Sequence, residues 1–273
     1  MMRIRCPRLS DFPAAGARRH KLQRNTKERR TYMAGKRYKA LSVLGTACLI
    51  LCVACGISLF RRRAELHSAA ETYDKIRSGS VSAETEGAEE PAVDEARLRG
   101  INPDYIFWLE IPGTEISYPV VRTKNNSDYL RVSFTGKPFI GGCIFLDASC
   151  PADLSGRNTV IYGHRMPDGT MFTGLAGYLK EDFAREHTEL RIRIGGETRI
   201  FRLCAVLRED EKGDYARTAF ADGEDFRQWL REQRSMALTD TGLDITEDTR
   251  SVTLVTCAGD GSERLAVIWI PEE

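Results

Sequence analysis

Three residues in the C-terminal half could together perform nucleophilic chemistry: His164, Cys257 and Arg264. Cys257 ends the apolar run 251–256, and His164 follows the apolar run 159–162, so both lie at predicted strand ends, where loops usually display catalytic groups. Arg264 opens the next predicted strand, seven residues after Cys257. A cysteine near a histidine and an arginine has its thiolate stabilised, which is the basis of a nucleophilic site. On spacing alone, a purely structural cysteine remains the alternative.

The remaining cysteines and histidines offer less chemistry. The chain has eight cysteines, and their spacing matches no metal-binding pattern, since no CxxC accompanies a pair of histidines. Cys143 and Cys150 are the pair best spaced for a disulfide, whereas the alternative makes Cys143 and Cys204 small buried apolar residues. His187 lies in a polar stretch typical of a solvated loop.

The elements that must position these residues are short strands. Alternating or continuous apolar runs bounded by turn residues predict eight of them: 105–111, 116–120, 143–146, 159–162, 190–194, 201–207, 251–256 and 265–270. Short helices are predicted at 93–98 and 171–179, and a longer one after Asp222, with Phe226, Trp229, Leu230 and Met236 on one face. Eight short strands with few helices predict an all-β fold closed into a barrel.

The N-terminal part has the character of a membrane anchor. Residues 1–39 contain 13 Lys and Arg against two acidic residues, so the near-neutral total of +1 hides a strongly basic end. The 21 residues 40–60 carry no charge and no polar face, and as a helix they would span about 31 Å, the thickness of a bilayer core. Because only Arg61, Arg62 and Arg63 follow, the Lys/Arg bias predicts a cytoplasmic N-terminus and an external C-terminal domain. A nucleic-acid partner is not expected.

Four segments follow from these patterns. We predict a basic cytoplasmic tail at 1–39, a transmembrane helix at 40–60, an extracytoplasmic stalk or linker at 61–100, and a catalytic domain at 101–273. Within the stalk, 64–77 could be helical, whereas the small, polar and acidic composition of 78–91 is typical of a flexible linker. Met33 offers an alternative start, because the sequence from there is a complete anchor by itself.

The external domain resembles the sortases, the membrane-anchored cysteine transpeptidases of Gram-positive bacteria. The resemblance covers about 101–270 and rests on motifs that occur in the family's order: 111–121 for the first strand pair, Tyr162-Gly-His164, Thr253-Leu-Val-Thr-Cys257, and Arg264. Class B is indicated by 125–130, by Asp168 to Phe172 after the histidine, and by the helical insertion near 223–237. The resemblance implies an eight-stranded sortase-type barrel.

The resemblance also implies a reaction. Cys257 would attack the threonyl carbonyl of a C-terminal sorting signal, NPxTN-like or LPxTG-like, in a secreted protein, forming a thioester. An amine, usually of the cell-wall precursor lipid II, would then form the new amide. His164 would act as general acid and then base, and Arg264 would stabilise the oxyanion or hold the substrate backbone.

Further expectations follow from the class B resemblance. Asn126, Leu130, Tyr162 and Thr256 would line the substrate groove, and no cofactor is needed. The acidic stretch 209–211 is interpreted as a solvated loop. Two alternatives stay open: a pilus polymerase, whose acceptor is a lysine of another pilin, and a non-catalytic anchored binding domain in which Cys257 is buried.

Overall fold

The computed structural model describes residues 44–61, 63, 70–81, 92–258 and 261–272. These residues fall into two compact units, divided after Arg63. The predicted basic tail, the first four residues of the predicted anchor and the linker residues 82–91 lie outside the described residues.

In the described part of the first unit the chain forms one apolar helix, α1 (Leu44–Arg61). Its mean hydropathy is 2.0, and none of it is buried within the protein. Among the described residues, α1 is the one helix long and apolar enough to cross a membrane. Its length of 18 residues agrees with the predicted anchor at 40–60, whose start precedes the described part of the chain.

The described residues of the second unit form nine strands. In chain order these are β1 (Tyr105–Glu110), β2 (Ser117–Val121), β3 (Ile144–Leu146), β4 (Asn158–Tyr162), β5 (Glu189–Ile194), β6 (Glu197–Asp210), β7 (Thr239–Asp240), β8 (Ser251–Ala258) and β9 (Glu263–Pro271). The central strands are buried almost throughout, as the apolar runs predict for strands that enclose a core.

The strands close into a barrel. The neighbour order is β5-β1-β2-β3-β4-β8-β9-β6, and a β5–β6 pairing completes the ring. The two-residue β7 adds to the edge of the long strand β6 and takes no part in the closure. The predicted closed eight-stranded barrel is therefore confirmed. Two of its pairings, β2–β3 and β4–β8, are parallel.

Short helices cover the barrel. They are α2 (70–80), α3 (Glu95–Ile101), α4 (Glu181–Glu186) and α5 (Gly223–Met236), with 3-10 helices at Phe172–Leu179 and Asp214–Ala216. Asp222 caps α5 as predicted, because its carboxylate accepts from the backbone N–H groups of Glu224 and Asp225. Met236 does not share the buried face: its side chain is 55% exposed, since it is the last residue of the helix and Gln233 takes the inner position instead.

Helix α2 lies mostly within 64–77, the part of the stalk expected to be helical, but it packs on the barrel, which the sequence did not predict. Tyr73 and Ile76 are both 5% exposed and belong to the core of the second unit. The Tyr73 hydroxyl donates to the Gly142 carbonyl (3.0 Å) and accepts from the Phe134 N–H (3.3 Å). Two apolar residues one turn apart were too weak a pattern to predict this packing from the sequence.

The cysteines of the barrel are free. Cys143 and Cys150 are both buried and do not pair, so the disulfide suggested by their spacing is absent and the alternative of small buried residues holds for Cys143. Cys143 Sγ instead lies 3.6 Å from the Tyr73 hydroxyl, and Cys150 Sγ lies 3.5 Å from the Asn158 carbonyl. Cys204 is buried as expected.

Candidate active site

Two strand pairings bring the candidate catalytic residues together. β4 and β8 run parallel with Tyr162 opposite Val255, so His164 and Cys257 each follow two residues beyond that pair. β8 and β9 run antiparallel with Cys257 directly opposite Arg264. Directly opposed residues in a sheet project to the same face with Cβ atoms about 5 Å apart. The thiol and the guanidinium therefore share one face at the end of the barrel.

The residue before His164 is a glycine because of close packing at the end of β4. A Cβ atom on Gly163 would lie 2.5 Å from Ile144 Cδ1 and 2.6 Å from the Phe172 ring. The Gly163 N–H continues the ladder by donating to the Val255 carbonyl (3.1 Å). Only a residue without a side chain fits between these two apolar groups, which gives the Tyr-Gly-His sequence a physical reason.

A pocket of about 320 Å³ opens where these strands end. All seven predicted site residues line it, together with four others, of which Gly163 and Val255 belong to the quoted motifs. The lining consists of Asn126, Leu130, Phe145, Tyr162, Gly163, His164, Tyr215, Val255, Thr256, Cys257 and Arg264. Phe145 and Tyr215 could not be predicted from the sequence, because apolar and aromatic residues carry no signal that separates a pocket wall from a core.

Cys257 is the accessible thiol of the barrel. It is partly exposed, whereas Cys143, Cys150 and Cys204 are buried. Burial raises the pKa of Cys143 to about 12 and the pKa values of Cys150 and Cys204 to about 11, so these three remain protonated and inert near neutral pH. Among the described cysteines of the barrel, Cys257 alone combines exposure with a place in the pocket.

His164 is held by a backbone carbonyl. Its Nε2 lies 3.0 Å from the Leu130 oxygen, and because a carbonyl can only accept, this contact requires Nε2 to carry a hydrogen. In the neutral imidazole the lone pair is then on Nδ1, which leaves that nitrogen for proton transfer. Leu130 thus contributes both an apolar surface to the pocket and an anchor for the histidine.

Arg264 is held from two sides. Its Nη1 donates to the Gly261 and Glu263 carbonyls (2.8 and 3.2 Å), and its Nη2 pairs with Glu211 Oε1 (2.7 Å). Glu211 belongs to the acidic stretch that composition suggested was simply solvated, and its side chain is 67% exposed. An exposed ion pair of this kind contributes little stability, about 0–1 kcal/mol, so its effect here is to orient the guanidinium. Sequence could not reveal it, because 53 residues separate the partners.

The groove residues have distinct hydrogen-bonding states. Thr256 is 3% exposed, and its Oγ1 has no partner among the residues that the structure describes. The Tyr162 hydroxyl donates to Asp147 Oδ2 (3.1 Å), and its pKa is raised well above the usual range, first by burial and then by the Asp147 charge. Tyr215 also has a raised pKa because of burial, opposed by the nearby Arg264. Both phenols therefore stay protonated near neutral pH.

A closed β-barrel that presents a partly exposed cysteine opposite an arginine, with a histidine beside them, defines a cysteine acyl-transfer enzyme. The family model described as "Sortase domain" matches residues 109–269. The chain therefore belongs to the sortase family of cysteine transpeptidases, and the resemblance seen in its motifs is confirmed.

Curated relatives agree on the class. The chain is 26% identical over 223 residues to Sortase B of Staphylococcus aureus, covering 82% of this chain and 91% of the relative. It is 32% identical over 165 residues to Sortase B of Listeria monocytogenes, covering 60% of this chain and 67% of the relative.

Solved structures give the same result. Clostridium perfringens sortase B has a TM-score of 0.63 at 32% identity, covering 66% of this chain and 100% of that one. A Staphylococcus aureus sortase B–substrate complex has a TM-score of 0.61 at 29% identity, covering 65% and 84%. Together these relatives assign the chain to class B.

Proposed function

We propose that this enzyme cleaves a C-terminal sorting signal after its threonine and transfers the protein to an amine of the cell-wall precursor lipid II. The observation that carries this proposal is the direct opposition of Cys257 and Arg264 across β8 and β9 in a pocket that also holds His164. Such a site supplies a nucleophile, a cation for a developing oxyanion and a proton carrier.

In the first half-reaction, the proton of the Cys257 thiol passes to His164, and the resulting Sγ thiolate attacks the threonyl carbonyl carbon. The carbonyl oxygen becomes an oxyanion beside the Arg264 guanidinium. The C–N bond then breaks as His164 gives a proton to the leaving amine, so the C-terminal fragment departs as a neutral amine. The product is a thioester between Cys257 and the threonine. Arg264 suits this role because its planar guanidinium is a fork of N–H donors that can contact two oxygens.

In the second half-reaction, an incoming amine attacks the thioester carbonyl. His164, now lacking the proton that it gave away, accepts one from the attacking nitrogen. The C–S bond breaks, the new amide leaves, and Cys257 returns as a thiolate. The same histidine thus serves both halves with opposite roles.

The groove beside Cys257 suits an extended peptide. Leu130 is 38% exposed and offers an apolar contact, while the oriented Asn126 amide offers a polar one. Tyr162 and Thr256 line the same pocket. An NPxTN-like or LPxTG-like signal combines apolar side chains with backbone and side-chain amides, which is the chemistry that this lining can satisfy. We therefore assign Asn126, Leu130, Tyr162 and Thr256 to substrate binding.

A peptide assay on the full-length chain in detergent tests this function. We expect cleavage after threonine in a fluorogenic NPxTN peptide or LPxTG peptide, and none in a scrambled peptide. With an added amine, mass spectrometry should find the transfer product in place of the free acid. Two acceptors separate the alternatives. Transfer to a peptide with a free N-terminal glycine supports cell-wall anchoring, and transfer to a lysine side chain supports pilin joining. Failure of every peptide to react would contradict the proposal.

We further propose that residues 40–60 anchor the enzyme in the cell membrane, with the tail 1–39 in the cytoplasm and the catalytic domain, 101–273, outside. The support is the exposed apolar helix α1 and the strong basic bias on its N-terminal side. An external catalytic domain would meet secreted substrates and cell-wall amines on the same side of the membrane.

Protease protection checks this orientation. In intact protoplasts of a Gram-positive host that expresses the full chain, added protease is expected to remove the catalytic domain while an N-terminal fragment of about 60 residues survives, as the charge bias predicts. A protein fused to the N-terminus should be protected in the same sample. Protection of the catalytic domain, with loss of the N-terminal fusion, would reverse the proposed topology.

A further inference from the structure

Asp147, the residue after β3, does not line the pocket but holds two residues that do. Its side chain is 8% exposed, and its Oδ2 accepts from Asn126 Nδ2 (2.7 Å) and from the Tyr162 hydroxyl (3.1 Å). Its Oδ1 accepts from the backbone N–H (2.8 Å) and the hydroxyl (2.6 Å) of Ser149. Four donors thus satisfy a nearly buried carboxylate, two of them from the groove.

The contact with Tyr162 sets the direction of a hydrogen bond. An ionised carboxylate only accepts, so the single hydroxyl hydrogen of Tyr162 is committed to Asp147. The oxygen keeps lone pairs but has no hydrogen left to give. Toward a peptide in the pocket, Tyr162 is therefore an acceptor and must be met by an N–H or O–H donor.

The contact with Asn126 sets the orientation of an amide. Asn126 Nδ2 donates to Asp147, while Asn126 Oδ1 accepts from the Ala148 N–H (2.8 Å). A flipped amide would place its oxygen against the carboxylate and its NH2 group against an N–H, so both bonds would be lost. One rotamer is thereby selected, and the second Nδ2 hydrogen remains to contact a substrate oxygen.

We propose that Asp147 is a positioning residue that fixes the hydrogen-bond polarity of the substrate groove. Through it, Tyr162 presents an acceptor and Asn126 presents an oriented amide donor. The preferred ligand is a peptide that offers an amide N–H to Tyr162 and a carbonyl oxygen to Asn126. This inference rests on the proposed function, because it takes the groove to be the peptide site.

The variant that tests it is Asp147→Asn, which keeps the size of the side chain but allows it to donate. Each misdirected hydrogen bond costs on the order of 10-fold in equilibrium terms. We expect KM for the cleaved peptide to rise about 10-fold or more while kcat changes less than about 3-fold, because Cys257 and His164 are untouched. Binding of the peptide to the same variant in a Cys257→Ala background should weaken by a similar factor.

Ser149→Ala is the matched control. It removes a donor from the same carboxylate, on the oxygen that does not contact the groove residues. We expect it to leave KM unchanged even if the melting temperature falls. The double variant Asp147→Asn, Tyr162→Phe should raise KM by less than the product of the two single effects, because both substitutions remove the same Tyr162–Asp147 hydrogen bond. Equal KM effects of Ser149→Ala and Asp147→Asn, or strict additivity with Tyr162→Phe, would overturn the proposal.

A measurement without substrate keeps this inference separate from the proposed function. In nuclear magnetic resonance spectra of the full chain, the Asn126 side-chain NH2 signals can be assigned by their loss in Asn126→Ala. We expect these signals to shift and to exchange faster with water in Asp147→Asn, and to stay in place in Ser149→Ala. Unchanged signals in Asp147→Asn would refute the positioning role. Failure of the wild-type enzyme on every peptide would instead refute the proposed function and leave this test valid.

Discussion

Replacement of Cys257 by alanine is expected to abolish both cleavage and transfer. The change removes the sulfur that forms the thioester, and no other thiol of the barrel can substitute, because burial raises the pKa of Cys143 to about 12 and those of Cys150 and Cys204 to about 11. Loss of the covalent nucleophile lowers kcat by a factor on the order of 10⁶ in a serine protease, which also forms an acyl-enzyme. The measurement is the peptide cleavage rate, with mass spectrometry for the acyl-enzyme.

Cys204→Ala is the matched control for this prediction. Cys204 is fully buried in β6, so its loss should reduce stability while cleavage continues at close to the wild-type rate. Melting temperatures of both variants separate unfolding from loss of chemistry. Cleavage by Cys257→Ala, or a folded but inactive Cys204→Ala, would show that Cys257 is not the nucleophile.

Replacement of His164 by alanine is expected to have the second largest effect. Without a general acid the amine must leave as an unstable anion. Without a base, no side chain accepts the proton of the amine that attacks the thioester. Such losses typically cost about 10²–10⁴-fold in kcat. The thiol remains in place, so slow acylation of Cys257 by the peptide should still be detectable over long incubation.

His187→Ala provides the comparison for His164. His187 stacks on Phe183 with ring centroids 4.0 Å apart, and its Nδ1 lies 3.0 Å from the Phe183 carbonyl, so it lies outside the pocket. Its replacement should leave kcat unchanged. If His164→Ala retains more than about a tenth of the wild-type rate, or if both histidine variants lose activity equally, the assigned role of His164 is wrong.

The amino-acid sequence alone determined the broad plan of this protein. The eight barrel strands could be predicted because burial leaves a local pattern in each segment. A strand buried on one face alternates, and a fully buried strand is continuously apolar. The positions of His164 and Cys257 at strand ends are local features of the same kind, and so is the apolar run of α1. The family follows from motifs that are short and contiguous, which is why they could be recognised without coordinates.

Only the tertiary structure decided which distant residues meet. Strand register places Cys257 opposite Arg264, and the parallel β4–β8 pairing brings the chain segment of His164 to the same end of the barrel. Glu211 reaches Arg264 because β6 lies beside β9, although the acidic stretch was expected to be solvated. The composition of a short segment reports its charge but not which strand lies beside it, so such a pair cannot be predicted from it.

The same limit explains the remaining surprises. Asp147 looks like an ordinary turn residue in the sequence, and only its contacts with Asn126 and Tyr162 reveal its place beneath the groove. Tyr73 lies in a helix that was expected to belong to a stalk, yet it is buried against residues more than 60 positions away. Local patterns encode which face of an element is apolar, whereas the partner that covers this face is chosen by the closure of the whole barrel.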